Sequence, residues 1–272
     1  MTDLSAGESA QLDIDSPLHV VALSGGKDSV AMALALAERE PRDYTYICNA
    51  TGNELPEMVA HWRKLEGMLG KPITPVRHDK DLIGTCRDQK MLPNTFSRWC
   101  TRILKIEPTI AFFDSLPDGS VLYVGLRADE EARRGLWGDD ITVDFPMRRW
   151  GWSIDDVIGY IDAKGVCIPA RTDCALCPYQ RLGEWRDLYI NHPDLYAQGV
   201  ELEKERGHTI RSPCRKTHGR RVASQSRQLS SACNWLPRLL TQQQSAHAGC
   251  SDPSIRQREE NCAAGAAGPN QC

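Results

Sequence analysis

Val20-Val21-Ala22-Leu23-Ser24-Gly25-Gly26-Lys27-Asp28-Ser29-Val30-Ala31-Met32-Ala33-Leu34-Ala35-Leu36 joins two apolar runs through a polar, glycine-containing turn. The first run has the length of a buried strand and the second that of a helix, so Gly25 and Gly26 lie on the bend between them. Two glycines let the backbone come close to a ligand. A helix start offers unpaired N–H groups and the positive end of its dipole to an anion. Lys27 adds a mobile charge, and Ser24 and Ser29 add hydroxyls. Together these residues describe a phosphate cradle. It is not the loop of the common nucleotide triphosphatases, which needs Gly, four residues, then Gly-Lys-Ser/Thr; here Asp28 follows Lys27 and Val21 stands five positions before Gly26.

Outward from this stretch, apolar and polar segments alternate. Tyr44-Thr45-Tyr46-Ile47-Cys48 reads as a strand followed by the turn Asn49-Ala50-Thr51-Gly52-Asn53. Residues 54–69 read as a helix with Pro56 in its first turn and Gly70 past its end. Residues 73–77, 121–124 and 141–145 are further strand candidates, and residues 103–113 are helical. Strands alternating with helices predict an α/β fold, a parallel sheet with helices on both faces. Ligands of such sheets sit beyond the carboxyl ends of the strands, where residues 24–29, 49–53 and 125–134 meet at one crevice. Ser153-Ile154-Asp155-Asp156 has the pattern of a helix cap, which makes its carboxylates structural.

The chain has 272 residues, 41% of them hydrophobic, a net charge of -3 and eleven cysteines. This is enough for a soluble core, and nothing in the balance pulls generally toward nucleic acid. No apolar run approaches the roughly 20 residues that span a bilayer, and residues 1–5 lack the basic and apolar parts of a secretory signal. We read a cytoplasmic protein without membrane contact, whose clustered cysteines are metal ligands or redox groups rather than disulfides. Residues 1–16 are expected to be a flexible N-terminus and residues 17–215 the folded domain. Residues 216–272 carry seven Lys/Arg against three Asp/Glu and a single aromatic, Trp235. They are expected to be a disordered tail, foreign in composition to what precedes it.

Three constellations carry chemistry. Arg98, Arg102 and Lys105 recur at helical spacing beside Cys100, an arrangement that clamps an anion and lowers the pKa of a nearby thiol. Gly125-Leu126-Arg127-Ala128-Asp129-Glu130-Glu131-Ala132-Arg133-Arg134 is a glycine turn that launches a short charged helix. Cys174-x-x-Cys177 has ligand spacing, and Cys100 and Cys167 would complete four thiolates, for an iron–sulfur cluster or for zinc. The seven histidines show no ligand spacing and read as surface or core residues.

Ser24 to Ser29 closely resembles the pyrophosphate loop of the ATP pyrophosphatase (PP-loop) superfamily, the adenine nucleotide alpha hydrolase-like enzymes. Together with Thr51-Gly52-Asn53-Glu54, the 100–105 stretch, the 125–134 stretch and the Cys174/Cys177 pair, it occurs in the order seen in the phosphoadenosine-phosphosulfate reductase family. The resemblance covers roughly residues 18–215. It implies ATP and Mg²⁺ as ligands, with Ser24, Gly25, Gly26, Lys27, Asp28, Ser29 and Gly125 around the nucleotide. Lys27, Asp28, Arg127 and Arg133 take the catalytic roles, Asp28 on the metal side, and Arg98, Arg102 and Lys105 hold the acceptor.

Two chemistries occur in that family. Reductases use the cysteine of a late Glu-Cys-Gly-Leu-His motif, which is absent here, and Cys214 is a poor substitute. The intact loop resembles members that use ATP itself: the small subunit of sulfate adenylyltransferase, tRNA thiolation enzymes and the DNA phosphorothioation protein. Adenylation of an anionic acceptor or sulfur donor, with pyrophosphate release, is therefore the expected activity, and a nucleic-acid acceptor fits it. Reduction of an adenylylsulfate to sulfite is the alternative. A non-catalytic nucleotide- or nucleic-acid-binding module is the rival of another class, because Arg148-Arg149-Trp150-Gly151-Trp152 combines cations with rings that stack on bases.

Overall fold

The computed structural model describes residues 16–133 and 141–210. Five strands, β1 (His19–Ala22), β2 (Tyr44–Cys48), β3 (Ile73–Pro75), β4 (Val121–Tyr123) and β5 (Thr142–Asp144), form a single sheet of order β3-β2-β1-β4-β5. Every pairing is parallel, with Val21 opposite Tyr46 on one side and Tyr123 on the other. The order runs outward from β1 in both directions, so the chain reverses between β1 and β4. That reversal opens a crevice above their carboxyl ends.

The period of two along each strand sorts the core. Val21, Tyr46 and Tyr123 face helix α1 (Lys27–Arg39), which is buried from Ser29 through Leu36. The alternate residues Val20, Ile47 and Leu122 face Phe113 on the opposite side. A third apolar cluster lies off the sheet. It gathers Met58 of α2 (Pro56–Leu69), Leu82 and Cys86 of α3 (Leu82–Asp88) and Trp99 of the short α4 (Trp99–Thr101). Ala175 and Leu176 join them with Trp185 and Leu202, from the last two helices (Leu182–Asn191 and Pro193–Arg206). The cysteine segment is therefore part of a second core, not an appendage.

Some expected elements take another form. The helix expected over 103–113 begins with a π-turn, Arg102–Ile106, and becomes α5 (Glu107–Asp114) only afterward. Pro108 explains the change, since it has no N–H for the carbonyl of Leu104. The side chain of Asn49 takes up the neighbouring carbonyl of Lys105 at 3.2 Å. The short charged helix after Gly125 is a single 3₁₀ turn, Ala128–Glu130. Helices α6 (Pro146–Arg149) and α7 (Ile154–Ala163) close the sheet side, and Ser153 caps α7 with Asp156, whose carboxylate accepts from the Ser153 hydroxyl at 2.7 Å.

Trp150 and Trp152 are not a base-stacking surface. Both rings lie under the guanidinium of Arg39, at 5.3 and 4.6 Å, and Trp150 donates to Glu40 at 3.0 Å. Arg149 pairs with Glu40 and Asp144, while Arg148 donates to the carbonyls of Glu130 and Arg133. The cations and rings of this stretch are all engaged within the fold. The expectations for residues 1–15, Arg134, Cys214 and 216–272 lie outside the described residues. No helix among the described residues is long and apolar enough to cross a membrane.

Candidate active site

The loop after β1 is held in place from within and from behind. Gly25 adopts φ +87°, and a Cβ there would sit 2.0 Å from the Met58 methyl and 2.9 Å from Trp62 Nε1. Only glycine meets both conditions. Ser29 ties the bend together: its hydroxyl accepts from Gly25 N at 3.1 Å, donates to the Gly26 carbonyl at 2.9 Å and shares a hydrogen bond with Ser24 at 3.0 Å. From behind, His61 Nε2 meets the Gly25 carbonyl at 3.1 Å and Trp62 Nε1 donates to the Ser24 carbonyl at 3.2 Å. With these acceptors occupied, the unpaired amides at the start of α1 are what the loop offers to a ligand.

The loop after β4 meets this one at close range. A Cβ on Gly125 would be 3.2 Å from the backbone of Asp28 and Ser29, so glycine is what allows the two strand ends to touch. Arg127 then reaches Asp28 at 2.7 Å and Asp129 at 2.8 Å, largely buried at 13% side-chain exposure. Its pKa is raised, chiefly by the hydrogen bond to Asp28. Asp28 is thus a shared carboxylate, with Lys27 on its other oxygen at 3.3 Å. Arg133 pairs with Glu130 at 2.5 Å.

Between these loops lies a cavity of about 400 Å³. Its walls include Ser24, Gly26, Asp28, Ser29 and Gly125, with Arg133 and Lys105. Ile47, Val124, Leu126 and Trp62 give it an apolar side. Asn49, Glu54, Thr172, Asp173 and Cys174 complete it. The size and the mixture of apolar wall and convergent polar groups are those of a small-molecule site. The ammonium of Lys27 is turned onto Asp28 and is not on the wall, although its side chain is 45% exposed and free to swing.

The three cations expected to act together are separated. Lys105 lines the cavity, Arg102 pairs with Glu107 and is 63% exposed, and Arg98 lies 5.2 Å over the ring of Tyr179. The π-turn changes the angular phase of the helix between them, so helical spacing in sequence does not become a common face. Cys100 also departs from expectation. Burial pushes its thiol pKa up, and the opposing charge of Lys105 is the smaller effect.

Of the four expected metal thiolates, Cys167 is disulfide-bonded, and Cys100, Cys174 and Cys177 are free. Among the described residues no group of three or more His, Cys, Asp or Glu is placed to hold a metal. The donors present therefore do not fit a four-thiolate cluster or zinc site. Cys174 and Cys177 are instead hydrogen-bonded to each other, which raises the pKa of Cys174 and lowers that of Cys177.

Sequence reasoning did not single out His61 and Trp62, and it gave Asn49, Thr172 and Asp173 no role of their own although the first lies in the 49–53 turn expected at the crevice. One signal for His61 was present: Met58, His61 and Leu65 recur on the buried face of α2, where a histidine needs a partner.

The fold is a domain of the doubly wound α/β class, with its cavity at the reversal of strand order. Residues 18–186 match the model of the phosphoadenosine phosphosulfate reductase domain, and the chain belongs to that family. Membership carries a nucleotide-binding role in sulfur metabolism. No curated protein matches the chain.

Proposed function

We propose that this chain is an ATP-using enzyme of the family, which adenylates an acceptor and releases pyrophosphate. The observation that carries the reading is the intact loop at residues 24–29, braced from behind by His61 and Trp62 at the reversal of strand order. A phosphate chain laid across it meets the amides at the start of α1 and the hydroxyls of Ser24 and Ser29. Ile47, Val124, Leu126 and Trp62 offer the apolar side that a base requires.

The acceptor oxygen attacks the α-phosphorus, the bond to the bridging oxygen breaks, and pyrophosphate leaves. Lys27 swings from Asp28 to the leaving phosphates, and Arg133 meets the charge that develops at the reacting phosphoryl. Arg127 holds Asp28 in place. Asp28 on the cavity wall is the carboxylate that would hold Mg²⁺, and the ion would there offset the charge of the phosphate chain. Lys105 anchors the acceptor, an anionic molecule or sulfur donor, of which a nucleic acid is one form.

Calorimetry with ATP and Mg²⁺, adenylylsulfate and 3'-phosphoadenylylsulfate tests the reading. Charge-assisted hydrogen bonds contribute about 1.5–3 kcal/mol each, so losing the two outer phosphates costs at least about tenfold in affinity. ATP is expected to bind most tightly. Preference for an adenylylsulfate, joined to thiol-dependent sulfite release, would overturn adenylation in favour of reduction.

A further inference from the structure

The mismatch between the cysteines and a metal site leaves two adjacent thiols to be explained. Cys174 and Cys177 bracket a tight turn in which Cys177 N donates to the Cys174 carbonyl at 3.1 Å. The Cys177 sulfur is within hydrogen-bond reach of the Cys174 thiol and the backbone N–H of Tyr179, which favour its thiolate, and of the Asp173 carboxylate, which opposes it. Both cysteines are only partly buried, and Tyr179 beside them is 52% exposed.

The frame around the pair is fixed. Ala175 N donates to the Asn53 carbonyl at 2.7 Å, Leu176 N to Asn53 Oδ1 at 3.1 Å, and Arg171 to the Cys174 carbonyl at 3.0 Å. Cys174 also forms an antiparallel bridge with Glu54, and both residues line the nucleotide cavity. A change at Cys174 is therefore a change in a residue of the cavity wall.

We propose that Cys174 and Cys177 are a thiol–disulfide exchange site for low-molecular-weight disulfides, whose closure weakens nucleotide binding in the adjoining cavity. Cys177, as thiolate, attacks one sulfur of the disulfide R–S–S–R. The S–S bond breaks, one R–S⁻ leaves and takes a proton, and Cys177 is left in a mixed disulfide. Cys174 then loses its proton, attacks the Cys177 sulfur and expels the second R–S⁻. The protein loses two electrons and two protons, and the disulfide becomes two R–SH.

The full chain, reduced, freed of reductant and then treated with oxidised glutathione, provides the test. Trypsin cuts after Arg171 and Arg181 and releases both cysteines in one peptide, residues 172–181. The expected product is that peptide lighter by two hydrogens and closed to alkylation, restored by dithiothreitol. Cys174→Ser should stop at glutathione on Cys177, and Cys100→Ser should still close. A peptide that stays open, a Cys100–Cys177 link in its place, or stoichiometric zinc or iron lost from Cys174→Ser and Cys177→Ser would each overturn the proposal. Cys174→Ala repeats the trapping step if the serine variant melts early.

The closed form should bind ATP about fivefold or more weakly than the reduced form, a coupling at the low end of what linked sites show. Equal affinity in both forms overturns the coupling to the cavity. If the reduced chain binds no ATP at all, the proposed adenylation fails while the peptide masses still judge the thiol pair.

Discussion

The loop at residues 24–29 and the segment at 171–181 both line one cavity, yet they are built differently. The first grows directly out of the sheet: a strand enters, a helix leaves, and Ser29 closes the bend with three hydrogen bonds of its own. The second has neither strand nor helix until Leu182 and is shaped by Asn53, Glu54 and the apolar cluster that lies off the sheet. A loop whose shape is local presents the same amides whatever its ligand does. A segment whose shape is borrowed responds to changes elsewhere, which suits a wall that carries reactive thiols.

The largest effect expected from this difference is chemical. Lys27→Ala should lower pyrophosphate release about a hundredfold or more, the usual cost of removing a donor to developing charge. It should leave the melting temperature unchanged, because the ammonium contacts only Asp28. Release at the wild-type rate would remove the loop from the reaction and leave the other wall as the only reactive one.

Next in size is a test of how rigid the loop is. Gly25→Ala puts a methyl into Met58 and Trp62 at a φ of +87°, and should cost about 2–4 kcal/mol of stability. Gly26→Ala has a nearest contact of 3.4 Å, to the Thr172 hydroxyl, and should cost under about 1 kcal/mol. Urea titration of both variants measures the gap. Equal costs would mean that the loop yields as readily as the segment that shares its cavity.

Asn53→Ala addresses the borrowed wall. It removes the acceptor of Leu176 N in a buried setting and should cost about 1–3 kcal/mol, with the fold otherwise kept. It should also slow closure of the Cys174–Cys177 disulfide, because the turn loses its brace. Unchanged stability and closure would show that the apolar cluster alone shapes the segment.

The same division separates what the sequence made legible from what it did not. β2 was readable to the residue because aromatic and β-branched side chains run unbroken from Tyr44 to Ile47, with the small apolar Cys48 before a polar turn. The turn between β1 and α1 was readable because its signal lies within a few adjacent residues. The fate of Arg98, Arg102 and Lys105 was not, since a proline shifts the helix phase and Glu107 and Tyr179 capture two of the three. Trp150 and Trp152 read more readily as core than as a stacking pair, and the partner that settles them in the fold, Arg39, lies more than a hundred residues earlier. Cys174 and Cys177 have ligand spacing, but a metal site depends on where Cys100 and Cys167 fall, which spacing does not reveal.

The smallest effect concerns the brace behind the phosphate loop. His61 is buried, 4% exposed, against the Gly25 carbonyl, and burial holds its pKa below the ordinary value of 6.5. Above that value the ring is neutral in both folded and unfolded chains, and its contribution to stability is complete. As pH falls through 6.5 the unfolded chain takes a proton that the folded chain resists, so stability declines until the lower, folded pKa is passed. His19, whose pKa is also lowered by burial, adds a decline of the same sign, so the slope of the wild type alone does not isolate His61. His61→Gln does, because its amide keeps a donor for the Gly25 carbonyl and removes the titrating ring. Urea midpoints compared at about pH 7.5 and about pH 5 should fall less for this variant than for the wild type. Parallel falls would mean that His61 accepts its proton without leaving the loop, and that the brace is less rigid than its burial implies.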